Sequence, residues 1–402
     1  METGDPAETL GELFAGTGLS DPYPLYERLR AHGPLVRVQD RFFVATGYEV
    51  IDQMLRDDRM LVGTEEVAAF YGSTSDDWLD LSLLHMNPPD HTRLRRLVAG
   101  AFTARRVATM RDAIAGQAQR LCGYLAEVGR GGEPVDFLTE FAYPLPIRVI
   151  CALLGVPYGD SGWIREQAAA MTVALEPSLM TADLSAAAGA RRQLSAYFEE
   201  LIAKRRESPA DDLTTALVQV HDSDGSALTK PELVEVLVLL LVAGFETTAN
   251  LLGNGLHLLL TRAADRQRLR ADPGLATNYV EEMLRFDSPV SLTSRYCREE
   301  TTYGAVTLPP YSQVVLLLAA GNRDPAVFDR PGDFDPDRVP LRSLAFGGGA
   351  HYCLGAALAR LEAQIAFPML LDRLPGLTLA GEPQRRPRLV LRGFEELPVT
   401  LG

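Results

Sequence analysis

Apolar residues recur with a helical period through most of the chain, and the longest such pattern starts at Thr229-Lys230-Pro231-Glu232 and runs to about Arg262. Thr229 and Glu232 have the spacing of a capping box, in which a threonine side chain and a glutamate three residues on satisfy each other's backbone N–H groups. Leu233, Val234 and the run Val236 to Val242 are apolar on every side, so the helix is expected to be buried. At roughly 1.5 Å per residue it reaches on the order of 50 Å. Glu235, Glu246, Asn250 and Asn254 interrupt any stretch of about twenty apolar residues, which disfavours a membrane span. Midway lies Ala243-Gly244-Phe245-Glu246-Thr247-Thr248. Glycine has low helix propensity and threonine hydroxyls compete for backbone carbonyls, so a local bulge is expected here. Taken alone, the six residues fit a satisfied polar spot in a core helix equally well.

Shorter patterns fill the rest. Asp21 to His32 reads as a short amphipathic helix, and Leu35 to Val38 with Phe42 to Val44 as a β-hairpin around Gln39-Asp40-Arg41. From Leu61 to Leu84 periodicity is lost and aromatic residues mix with acids, which reads as a long loop. Asn87-Pro88-Pro89-Asp90 has the form of a helix start, with Asn as cap, and the helix after it puts His91, Leu94, Arg95 and Val98 on one side. Ile147 to Leu154 is a buried helix closed by Gly155 and Pro157; Ala168 to Leu184 and Leu194 to Arg206 read as two amphipathic helices joined around Glu176-Pro177-Ser178, the second with a polar, charged face. Tyr279 to Phe286 forms a helix with Glu282 and Arg285 three apart. Pro289 to Arg295 reads as a strand, and Ala305 to Leu308 with Val314 to Leu317 as a hairpin around Pro309-Pro310-Tyr311. Leu377, Leu379, Leu389 and Leu391 alternate in the tail, followed by a loop at Phe394.

A chain of 402 residues, 47% hydrophobic and 23% charged, has an ordinary globular balance. No Gly/Ser-rich or Pro-rich linker divides it, so a single domain over 1–402 is expected, mainly α, with β-rich parts at about 34–60 and 290–320 and in the tail. Lys plus Arg number 39 against 53 Asp plus Glu, a formal net charge of −14, which disfavours nucleic acid as a partner. The N-terminal Met1-Glu2-Thr3-Gly4-Asp5-Pro6 has neither a cationic region nor an apolar core, so a cytoplasmic protein with no membrane attachment is expected.

Cys122, Cys151, Cys297 and Cys353 are far apart, with no C-x-x-C pair. Cys122 and Cys151 sit in apolar helical patterns as inert core residues. Cys353 differs, because three glycines precede it in Phe346-Gly347-Gly348-Gly349-Ala350-His351-Tyr352-Cys353 and a helical pattern follows from Leu354. Glycines let the backbone curl closely against a flat ligand. A position just ahead of a helix N-terminus favours the thiolate, the form that binds metals. For an isolated cysteine the competing reading is a buried structural thiol.

The whole stretch Phe346 to Arg360 resembles the heme-thiolate signature of the cytochrome P450 family, Phe-Gly-x-Gly-x-His-x-Cys-x-Gly-x-x-Leu-Ala-Arg, and meets every specified position. Three further motifs stand in the family's order. Met86 to Leu97 resembles the helix whose His and Arg bind heme propionates, which implies that role for His91 and Arg95. Ala243 to Thr248 matches the family's acid–alcohol motif, implying that Thr247 hydrogen-bonds dioxygen and Glu246 relays protons towards it. Glu282-x-x-Arg285 with Arg338 matches a buried structural triad that holds the cysteine loop. The resemblance also puts Arg295 and His351 on propionates and makes Cys353 the ligand of the iron.

The resemblance covers about Asp21 to Pro398. It implies a triangular, mostly helical prism with a smaller β region around a buried heme b, and a monooxygenase that inserts one oxygen atom of O2 into a small organic substrate by hydroxylation or epoxidation. No reductase is expected to be fused, so electrons are to come from a separate ferredoxin and ferredoxin reductase. Arg93, Arg96, Arg105 and Arg106 form a candidate cationic patch for that partner. The enzyme is expected to be a monomer that tailors a secondary metabolite such as a macrolide or other polyketide, as in antibiotic biosynthesis. Two rival readings are a peroxide-driven peroxygenase and a heme-binding recruitment protein without oxygenase activity.

Overall fold

The computed structural model describes residues 4–15, 19–63, 83–176, 184–223, 228–339 and 342–401. They group into two compact units. One comprises Met1–Thr92, Glu281–Cys353 and Arg385–Arg392, the other Arg93–Val280, Leu354–Gln384 and Gly393–Gly402.

The first unit is built on a five-stranded sheet. Leu35–Gln39 and Phe42–Ala45 form the expected antiparallel hairpin, with Arg41 in the left-handed region at the turn (φ 54°). Phe42–Ala45 pairs in parallel with Gln313–Leu316, which pairs antiparallel with Thr293–Cys297, and Met60–Leu61 closes the far edge. Successive strand residues face opposite sides. Phe43, Ala45, Val314 and Leu316 therefore join one apolar cluster with Ile51, Met54 and Phe328. Val44, Val315 and Leu317 join another, with Leu13, Tyr26 and Leu29 of two N-terminal helices, Pro6–Phe14 and Tyr23–Arg30.

The hairpin expected around Pro309-Pro310-Tyr311 does not form. Val306–Leu308 pairs instead with Thr301–Tyr303 across a tight turn at Gly304, whose φ of 57° suits glycine. Gln313–Leu316 is thereby left to enter the main sheet between two distant strands. Asn87 is not the cap of the next helix either. Its side chain accepts from Val62 N (3.0 Å) and donates to Val62 O (3.2 Å), as a neighbouring strand would, and the helix runs Asp90–Ala99. Residues 64–82, most of the expected long loop, lie outside the described residues.

The second unit is helical around Lys230–Thr261, whose capping box is present: Thr229 N donates to Glu232 Oε2 (2.8 Å) and Glu232 N to Thr229 Oγ1 (3.4 Å). By length and composition this helix is apolar enough to cross a membrane, but most of its apolar stretch is buried in the structure. Pro144–Leu154, Ser161–Thr172, Ser185–Glu207 and Ala356–Arg373 pack around it. The helix expected over 168–184 ends at Thr172 after starting at Ser161, so that pattern was displaced by about two turns, and 177–183 are outside the described residues. Val135–Asp136, Pro398–Thr400 and Thr378–Leu379 form a small antiparallel sheet.

Candidate heme-thiolate site

In the first unit the chain before Cys353 is folded back on itself. Leu344 N donates to Asn322 Oδ1 (2.7 Å), Gly347 N to Leu344 O (2.9 Å) and Cys353 N to Phe346 O (2.9 Å). Gly347 and Gly349 have φ of 67° and 61°, where a side chain would be strained. At Gly349 a Cβ would in addition strike the Leu55 carbonyl of helix Tyr48–Arg56. Cys353 emerges exposed from this loop, whereas Cys122, Cys151 and Cys297 are buried. Burial pushes the Cys122 and Cys151 thiols up to about 12, which makes them poor ligands.

The loop is held from behind. Glu282 and Arg285, both 0% exposed at the side chain, form a two-point ion pair of 2.6 and 2.7 Å. Arg285 also donates to the carbonyls of Asn322 (2.9 Å), Pro331 (3.0 Å) and Asp333 (2.9 Å), while Asp335 N donates to Glu282 Oε1 (2.8 Å). Arg338 approaches the same oxygen at 3.6 Å. Asn322, which sequence reasoning missed, links this network to the cysteine loop: it binds Leu344 N through its carbonyl and donates to Ser288 Oγ (2.8 Å).

Three expected cofactor ligands lie in this unit. The rings of His91 and His351 come within 4.2 Å of each other, and His91 is buried. Arg295, 5% exposed on strand Thr293–Cys297, donates to Thr293 Oγ1 (3.2 Å) and Ser294 O (2.7 Å), both neutral. Burial pulls its pKa down to about 10, with no carboxylate opposing that effect among the described residues. A buried guanidinium hydrogen-bonded to neutral oxygens and, in the same unit, a close pair of imidazoles are donors of the kind that suit an anionic carboxylate, so these residue types fit the propionates of a heme. Arg95 follows His91 by one turn on the same helix and is half-buried.

In the second unit the acid–alcohol hexapeptide stays α-helical throughout, and the expected bulge is absent. Gly244 serves close packing instead, since a Cβ there would lie 2.9 Å from Ile150 Cγ1 of helix Pro144–Leu154. Thr247 Oγ1 donates to Ala243 O one turn back (3.0 Å), which satisfies the hydroxyl without opening the helix. Glu246, 2% exposed, accepts from Thr172 Oγ1 (2.8 Å). Of the four arginines expected to form a cationic patch, Arg93 is paired with Glu232 and Arg106 with Asp211 (2.9 Å), while Arg96 and Arg105 are exposed.

A thiol presented by a glycine-rich loop that a buried ion-pair network braces, in a unit that also carries paired imidazoles and a buried guanidinium, is the arrangement of a heme-thiolate protein. The Cytochrome P450 family profile matches residues 25–386. The chain is 38% identical to Vitamin D(3) 25-hydroxylase of Pseudonocardia autotrophica, over 97% of this chain and 96% of that one. It is also 38% identical to 6-deoxyerythronolide B hydroxylase of Saccharopolyspora erythraea, over 98% and 99%. The ligand-free crystal structure of Mycobacterium smegmatis CYP164A2 superposes with a TM-score of 0.90 at 37% identity, covering 98% of this chain and all of that one. The chain belongs to the cytochrome P450 family. It has that family's mainly helical fold with small sheets, uses heme, and is a monooxygenase that takes an organic substrate, O2 and a redox partner.

Proposed function

We propose that this cytochrome P450 hydroxylates or epoxidises a macrolide or related polyketide in antibiotic or other secondary metabolism, as a cytoplasmic monomer supplied by a separate ferredoxin and ferredoxin reductase. The balance is R–H + O2 + two electrons + two protons giving R–OH + H2O. Heme b, when bound, supplies the oxygen-activating chemistry. Cys353 ligates its iron, and His91, Arg95, Arg295 and His351 receive its propionates. Both units serve this one catalytic domain.

The observation that carries the O2-dependent reading is the intact acid–alcohol pair on one helical turn, with Glu246 buried and hydrogen-bonded and Thr247 satisfied by a carbonyl from which it can be released. Glu246 takes up and passes on protons, and Thr247 donates to dioxygen. A peroxygenase has no use for such a pair, and neither has a recruitment protein. The likeness to 6-deoxyerythronolide B hydroxylase supports the substrate class. Arg96 and Arg105 are the cations left to steer an acidic ferredoxin.

Spectral titration of the heme-loaded ferric protein against polyketide, terpenoid and peptide scaffolds tests the substrate class. Tightest binding by a polyketide, followed by ferredoxin-driven conversion, is the expected outcome. A terpenoid or peptide that binds tighter and is converted replaces the proposed class, and turnover as fast with hydrogen peroxide as with ferredoxin overturns the proposed reaction.

A further inference from the structure

Thr172 has no role in the family signature motifs read from the sequence, yet it touches Glu246. It is the last residue of helix Ser161–Thr172, 1% exposed, and its hydroxyl lies 2.8 Å from Glu246 Oε2 and also 2.8 Å from Ala169 O. A hydroxyl has one proton to donate and can accept as well. With two acceptors at the same distance, the proton goes to one of them at a time.

We propose that Thr172 is a positioning residue that holds Glu246 in place in both of its protonation states. When Glu246 is ionised, Thr172 donates to Oε2. When Glu246 is protonated, its carboxyl donates to Thr172 Oγ1, and the threonine turns its own proton to Ala169 O. The exchange needs rotation about one C–O bond and moves no heavy atom. The proton lost by Glu246 goes forward to the oxygen chemistry and is replaced from solvent, and Thr172 ends each cycle unchanged. An arginine in the same place would favour the carboxylate alone. The proposal rests on the relay role assigned to Glu246 above.

The test uses the heme-loaded protein with excess plant-type ferredoxin, its reductase and NADPH, without added substrate, so that electrons pass to O2 alone. Thr172→Val is expected to slow NADPH oxidation by about tenfold, the size of one hydrogen bond to an ionised group, and to enlarge the solvent deuterium isotope effect. Thr172→Ser is expected to restore both. Adding Thr172→Val to Glu246→Gln should slow the enzyme no further. Infrared difference spectra between wild type and Glu246→Gln isolate the Glu246 carboxyl band, which Thr172→Val should move and Thr172→Ser should not. If Thr172→Val loses heme, Thr172→Ala takes its place.

A slow Glu246→Gln beside a Thr172→Val with wild-type rate and isotope effect overturns the proposal, whether or not the band moves. A Glu246→Gln as fast as wild type overturns the relay reading itself, and the proposal with it.

Discussion

The surroundings of Glu282 and of Glu246 are opposite solutions to burying a carboxylate. Glu282 is met by a two-point guanidinium, a backbone N–H and a second arginine, and its partner Arg285 is tied to three carbonyls in turn. Such an arrangement fixes one geometry. Glu246 is held by a neutral hydroxyl, which bonds either form of the acid. The first region is tied through Asn322 to the backbone that leads to Cys353; the second is where the proposed relay would pass its proton.

This contrast is broken most severely by Glu282→Gln, which leaves Arg285 buried without its counter-charge. The expected cost is about 3–5 kcal/mol, read as a fall in chemical-denaturation midpoint and as failure to take up heme. A variant with full heme content would show that the pair does not hold the cysteine loop. Gly244→Ala sharpens the comparison from the other unit. The added methyl meets Ile150, and overpacking should cost about 1–3 kcal/mol, while a smaller residue in an Ile150→Val background recovers part of it. An additive double variant would remove the packing explanation. Thr247→Ala should change stability least, within about 0.5 kcal/mol, since among the described residues the hydroxyl it removes bonds only its own helix. Heme binding should persist while electrons are diverted to peroxide. Unchanged coupling of NADPH use to product would refute the role given to Thr247.

Local signals were read well and long-range ones were not. The capping box at Thr229 fixed the start of the long helix because both of its partners lie within four residues. The Leu35–Ala45 hairpin was equally legible, since its turn and both strands are contiguous. The second hairpin was misread because two pairings compete locally. Gly304 makes the tighter turn, and the strand after Tyr311 finds its partners at Phe42–Ala45, far back in the chain, and at Thr293–Cys297, on the other side of the small hairpin. The helix before Glu176 was misplaced because apolar Val173, Ala174 and Leu175 continue the pattern past Thr172, where the α-helix gives way to a 3-10 turn. Thr172 and Asn322 had no signal at all. Each is a common polar residue whose meaning comes from a contact many positions distant, 74 in the case of Thr172 and Glu246. Gly244 carried a signal that pointed the wrong way, because low helix propensity marks a close neighbour as readily as a bend.

With a propionate on Arg295, as proposed, maturation of the enzyme is tied to its prosthetic group. An interior cation set among neutral oxygens raises the free energy of the polypeptide by itself, and a carboxylate arriving with the porphyrin lowers it again. Iron-starved cells would therefore accumulate a chain that is easier to unfold and digest, so that supply of the pigment governs how much of the protein survives.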